Sequence, residues 1–154
     1  MSPEERFQVR LLAIDLGLRC GWAAFDRSGR LLGYGSRHFG SRGSLRKAIP
    51  HILGQYPRLA CLVIEGGGEL LVPWERGAAR RGVDVRQVAS ETWREAMLKP
   101  KERATGPDAK ASAGAVARHL IERSGARRPT SLRHDAAEAI VLGAWAWGQS
   151  PPLV

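Results

Sequence analysis

The sequence predicts an α/β protein in which three antiparallel strands come early and helices dominate the later part of the chain. Two observations predict it. Val9–Leu16 and Leu59–Ile64 are near-continuous apolar runs, the pattern of strands covered on both faces rather than one. Strand-like segments cluster in the first third of the chain, joined by glycine-containing turns, whereas the remainder is mostly helical in its apolar spacing.

Val9–Leu16 is the first strand. Gly17 and Gly21 frame a tight turn into Trp22–Asp26, and Ser28-Gly29 supplies a hairpin turn into Arg30–Tyr34, extending toward His38. Gly40–Gly43 reads as a flexible connection. Ser44 caps a helix over Leu45–Tyr56 with Leu45, Ala48, Ile49, Ile52 and Leu53 on one face. Pro50 fits poorly inside that helix, and Pro57 ends it. Glu65 closes the strand Leu59–Ile64 and precedes Gly66-Gly67-Gly68. Glu69–Gly82 holds a short helix after Pro73, and Val83–Val88 is a short strand. Ser90 caps a helix over Glu91–Leu98, and Lys99–Pro107 is a basic loop. Asp108 caps a longer helix to Arg123, which Gly125 stops. The last helix, Leu132 to Trp147, is apolar nearly all round, which predicts deep packing. Residues 1–154 are expected to form one domain, with 148–154 a short C-terminal tail.

A chain of 154 residues is long enough to bury a core without staples. Its 24 Lys+Arg against 15 Asp+Glu leave a net charge of +9. A basic surface suits a polyanionic partner, because Lys and Arg neutralise phosphates and release counterions. The alternative is a compositional bias toward arginine. Cys20 and Cys61 sit in or beside apolar runs without metal-ligand spacing, as buried reduced thiols do. No apolar stretch approaches the ~20 residues of a membrane span, and Met1–Arg6 lacks the pattern of a signal peptide. A soluble cytoplasmic protein is expected.

Four acids punctuate the apolar segments. Asp15 ends a strand that reads as core, where an ionised carboxylate is costly unless a cation compensates. Glu65 ends another. Asp135 and Glu138, at i and i+3, share one face near the start of the last helix, where the helix dipole favours anions. Adjacent carboxylates repel unless a cation intervenes. If the strand ends and this helix meet, hard oxygen ligands would hold Mg²⁺ or Mn²⁺. Two such ions ~3.5–4 Å apart activate a water and stabilise a leaving oxygen in phosphodiester hydrolysis.

These residues also carry a resemblance. Ala13-Ile14-Asp15-Leu16-Gly17 with Gly21-Trp22-Ala23, Leu62-Val63-Ile64-Glu65, and His134-Asp135-Ala136-Ala137-Glu138-Ala139 are together similar to the RuvC-type Holliday junction resolvases of the RNase H-like superfamily. The similarity runs from Val9 to Trp147. Separations of 50 residues from Asp15 to Glu65 and 70 from Glu65 to Asp135 suit that family. The resemblance implies an RNase H-like fold, a five-stranded mixed sheet of three antiparallel strands then two parallel ones flanked by helices, in which Asp15, Glu65, Asp135 and Glu138 bind Mg²⁺, with two ions per site and Mn²⁺ able to substitute. The chain departs from the family at Glu138, usually an aspartate, and at the three glycines after Glu65, where the best-known members carry bulkier residues. His134 either joins the site as ligand or proton carrier, or lies on the surface or caps the helix. Lys110 matches a lysine ahead of the penultimate helix in similar proteins, and either contacts the scissile phosphate or is a solvated helix lysine.

The resemblance further implies a metal-dependent endodeoxyribonuclease that cleaves four-way DNA junctions in recombination and repair. It would act as a homodimer in the cytoplasm of a bacterial cell, or of a host if phage-encoded. Lys99, Lys101 and Arg103, and a second cluster of Arg76, Arg80 and Arg81, are candidate DNA-phosphate contacts. Trp74 is a candidate for stacking on an unpaired base or for simple packing. Trp93 reads as core, and Trp145 and Trp147 as core or dimer surface. Other readings are an RNase H-like nuclease of hybrids or flaps, and a nucleic-acid-binding module with a degraded site. Asp15-Leu16-Gly17 with Gly21-Trp22 also resembles the first phosphate loop of sugar-kinase and actin-like ATPases, which need a second such subdomain.

Overall fold

The computed structural model describes residues 1–149. A short helix α1 (Pro3–Gln8) leads into β1 (Leu11–Asp15), β2 (Arg19–Phe25) and β3 (Leu31–His38). Then follow α2 (Arg42–Gly54), β4 (Cys61–Glu65), α3 (Leu71–Arg80), β5 (Asp84–Val88), α4 (Ser90–Met97), α5 (Gly106–Ser124) and α6 (His134–Gln149). The five strands form one sheet in the order β3-β2-β1-β4-β5. β1, β2 and β3 pair antiparallel, and β4 and β5 run parallel to β1. Among the described residues, no helix is long and apolar enough to cross a membrane.

The continuous apolar runs are explained by helices on both faces. Leu12, Ile14, Leu62 and Ile64 pack on α2 and α3 through Leu45, Ile49, Leu53 and Trp74. The alternate residues Leu11, Ala13, Cys61 and Val63 pack on α5 and α6. Strand alternation therefore assigns every second side chain to each layer. Helix α6 is buried along most of its length because it lies across β1 and β2.

Several boundaries differ from those read in the sequence. Helix α2 starts within the expected glycine connection, because Ser41 rather than Ser44 accepts the bond from the backbone N–H three residues on. Pro50 is accommodated inside it on the solvent side: both Pro50 and Arg46, whose carbonyl loses its helical N–H donor to the proline, are exposed residues. Thr105, not Asp108, caps α5, and Asp108 donates its backbone N–H to that hydroxyl. Ser90 is the first residue of α4 rather than its cap. The 69–82 segment is a 3₁₀ turn (Gly68–Leu70) followed by α3, which takes Pro73 in its first turn. Helix α6 starts at His134 and takes in Gly148 and Gln149 of the expected tail; the rest of that tail, 150–154, lies outside the described residues.

Candidate metal centre

Asp15 and Glu65 are the last residues of adjacent parallel strands and are paired in register, Asp15 with Glu65 and Asp15 with Gly21. By alternation they share the face of Ala13 and Val63, which is the face α6 covers. Glu138 meets them from α6 and is only 7% exposed. One carboxylate oxygen from each of Asp15, Glu65 and Glu138 lies within 4.8 Å of the others.

Gly21 makes this convergence possible. It is not a turn residue, as its sequence spacing suggested, but the third residue of β2. A Cβ there would collide with the carbonyl group of Asp135, so only glycine lets the first turn of α6 lie against β2. Gly143 plays the same part further along, where a Cβ would meet the Phe25 ring.

Asp135 stands outside the triad. Its Oδ2 accepts from the Ser36 hydroxyl at 2.6 Å, and its Oδ1 accepts the Ala136 backbone N–H at 2.9 Å. The structure thus joins three of the four predicted acids and turns the fourth toward β3, from where its charge still acts on Asp15. Burial is the main cause that pushes the Asp15 carboxyl up to about 8, with the charges of Glu138 and Glu65 adding to it. Burial likewise raises Glu65, opposed by a hydrogen bond from the indole N–H of Trp93 at 2.7 Å. The Cys20 thiol is pushed up to about 12 by burial and the nearby aspartates, consistent with an inert buried cysteine; Cys61 is also buried and free.

Two further residues of the site were missed from the sequence. Trp93 and Arg94 are consecutive on α4, and each serves one acid: Trp93 donates to Glu65, and Arg94 Nη2 pairs with Glu138 Oε1 at 2.7 Å. Trp93 is fully buried, as expected of core, but a buried indole N–H usually finds an acceptor. That tendency was a signal in the sequence; which acceptor it finds was not. Ser36, on an edge strand, carried no signal at all.

The remaining predicted residues are dispersed. His134 is exposed at the first position of α6, and Lys110 is exposed in the early part of α5. Lys99 and Lys101 are exposed, and Arg103 half-buried, at the short 3₁₀ segment Pro100–Arg103 between α4 and α5. Trp74 is a correction: it is 1% exposed in the core between α3 and the sheet, so no base can stack on it. Arg80 and Arg81 are exposed where α3 ends and the chain turns into β5, which starts opposite Cys61, the other end of β4 from Glu65. At ~3.3 Å per residue that is ~13 Å of strand away from the acids. Arg76 lies one turn earlier, in a groove shared with Arg46. Trp145 and Trp147 are half-buried, with Trp147 packed over the Gly29 turn.

The donor set is chemically that of a hard divalent cation: three converging carboxylates, one of them held back from ionising by burial and then by its neighbours, and a cationic side chain already drawn onto the third. The five-stranded sheet with helices on both faces and acids at the ends of its first and fourth strands defines an RNase H-like fold. The same fold is found in Thermus thermophilus RuvC, solved in complex with a Holliday junction substrate. The two share 14% identity over 94% of this chain and 98% of that one, with a TM-score of 0.64. It is also found in the yeast mitochondrial Holliday junction resolvase Ydc2, at 9% identity over 89% of this chain and 78% of that one, with a TM-score of 0.51. No family model matches the chain, and no curated protein matches it in sequence.

Proposed function

We propose that this protein is a metal-dependent endodeoxyribonuclease acting on branched DNA, with the four-way junction as its principal substrate. The observation that carries the reading is the convergence of Asp15, Glu65 and Glu138 at the carboxyl edge of a sheet whose fold is that of proteins described with Holliday junctions. Asp15, Glu65 and Glu138 would hold Mg²⁺, or Mn²⁺ in its place, with Asp135 close enough to add charge; His134, exposed and next to Asp135 in the chain, is kept as a candidate proton carrier. Bound there, divalent ions supply Lewis acidity, making a water nucleophile available near neutral pH and offsetting charge on the phosphate.

The chain's own residues prepare the site. Trp93 anchors Glu65 and favours its ionised form, while Arg94 pairs with the buried Glu138. The net charge of +9 draws DNA to the surface without reading its sequence. Lys99, Lys101, Arg103 and Lys110 are assigned as phosphate contacts. Resolution of a junction requires two symmetric nicks, so a two-fold homodimer carrying two such sites is part of the proposal. The test is cleavage of matched four-way junction, flap, RNA–DNA hybrid and linear duplex substrates with and without Mg²⁺. Paired symmetric nicks confined to the junction support the reading. A preference for hybrid or flap substrates assigns another nuclease activity, and binding without any Mg²⁺-dependent cleavage assigns a binding module.

A further inference from the structure

Trp22 belongs to the Gly21-Trp22 motif but takes no part in the acidic centre. Gly21 faces α6, so strand alternation turns Trp22 to the opposite side of the sheet. There its indole lies along β3: a Cβ on Gly35 would sit 3.0 Å from Trp22 Nε1, and one on Gly33 would be 3.7 Å from the far edge of the ring. Gly35 thus makes a floor for this half-buried aromatic ring, while the Met1 side chain lies over Gly33, 2.5 Å from where a Cβ would stand. The ring lines a cleft of about 540 Å³, which also takes in Tyr34, Arg6, Arg127 and Arg128. That volume is within the ~300–1,000 Å³ range of sites for small ligands.

The wall is shaped and charged. The Tyr34 hydroxyl donates to the Arg127 carbonyl, tying the segment after α5 to the sheet edge. Arg6 is held by Gln55 at 2.9 Å, and Arg128 makes only a 3.7 Å surface pair with Glu122. Among the described residues Arg127 has no ion-pair partner. An aromatic face bordered by guanidinium groups is what a nucleotide requires, a base to stack and a phosphate to neutralise. The cleft opens on the other face of the sheet from the acids: Trp22 follows Gly21, whose strand partner is Asp15, but its ring points away from α6.

We propose that this cleft binds an unpaired nucleotide of a DNA strand, stacking its base on Trp22 and holding its phosphates with Arg127 and Arg128. The proposal deepens the nuclease reading and rests on it for the identity of the strand, but not for the binding itself. The test is fluorescence anisotropy of a labelled oligo-dT of about twelve nucleotides with the full chain in EDTA, where the acidic centre is silent. Trp22→Ala should weaken binding about tenfold or more, with Trp22→Phe retaining most of the affinity. Arg127→Ala should reduce the slope of log K against log salt by about 0.7. Because Trp22→Ala removes a packed ring, Trp22→Phe and Arg127→Ala decide the matter if it fails to fold. Wild-type affinity in Trp22→Ala, or an unchanged salt slope in Arg127→Ala, overturns the proposal. So does dTMP binding as tightly as the oligonucleotide, which would make the occupant a free nucleotide. Trp22-dependent binding in a protein that cuts no substrate would leave the cleft standing and remove the nuclease reading. Junction cleavage by a protein whose binding ignores Trp22 would do the reverse.

Discussion

Replacing Asp15 by asparagine removes the most perturbed charge in the molecule while keeping nearly the same shape. The Asp15 carboxyl stands at about 8 in the fold, against 3.8 for an ordinary aspartate. The folded, metal-free protein therefore holds this proton more tightly than the unfolded chain. The stability it confers is complete below 3.8 and is lost as pH rises through about 8. Between about pH 5 and pH 8 the loss is on the order of 3 kcal/mol, at ~1.4 kcal/mol per pH unit. Glu65, also raised, adds to it in the same direction. Asparagine does not titrate, so Asp15→Asn should equal or exceed the wild type near pH 8 in EDTA, and its advantage should shrink toward pH 5. For a domain of this size the swing is ~6–12 °C in melting temperature. Divalent ions should reverse the order: saturating Mg²⁺ or Mn²⁺ near pH 8 raises the wild-type midpoint by several degrees and leaves the variant unmoved. Thermal melts followed by circular dichroism at about pH 5 and pH 8, with EDTA and with metal, measure all of this. The reasoning is refuted if Asp15→Asn is equally destabilising at every pH, or if the metal stabilises both proteins alike.

Three other perturbations probe the surroundings. Arg94→Gln leaves Glu138 buried without its cation and should cost ~1–3 kcal/mol in EDTA, less than a fully buried pair because Arg94 is partly exposed. Urea unfolding should show that loss largely restored by Mn²⁺, and a deficit unaffected by metal would separate Arg94 from the metal centre. Gly21→Ala drives a methyl into the Asp135 carbonyl group and should destabilise by ~2 kcal/mol or more while weakening Mn²⁺ binding in calorimetry; a neutral effect on both would show that α6 does not depend on this approach. Trp74→Phe removes a buried indole N–H that has no partner, so unfolding should shift by no more than ~2 kcal/mol and oligonucleotide affinity should not change. A loss of DNA binding in that variant would restore Trp74 as a contact.

The layered α/β architecture was legible because both strands of the parallel pair β1 and β4 are apolar on both faces, a pattern that requires cover on each side. The polar interruptions at Asp15 and Glu65 were legible for the same reason: a carboxylate that ends such a run stands out from its surroundings. Helix starts were less so, since Ser41 and Ser44, or Thr105 and Asp108, are equally good caps by type. Trp74 and Trp22 show the limit most clearly. Both lie beside suggestive neighbours in sequence, yet one is enclosed by α3 and the sheet while the other borders an open cleft.

The sequence by itself determined the order of strands and helices from β1 onward, though not the short helix α1 before it, together with the identity of the acids and the excess of positive charge, because these follow from local periodicity and composition. Only the tertiary structure decided that Asp15, Glu65 and Glu138 converge while Asp135 turns to Ser36. It alone also brought Trp93 and Arg94 to two of those acids. The physical reason is that carboxylate geometry depends on strand register and on how closely α6 can approach β2. That distance is set by a missing side chain at Gly21, whose effect exists only once the two elements are packed together.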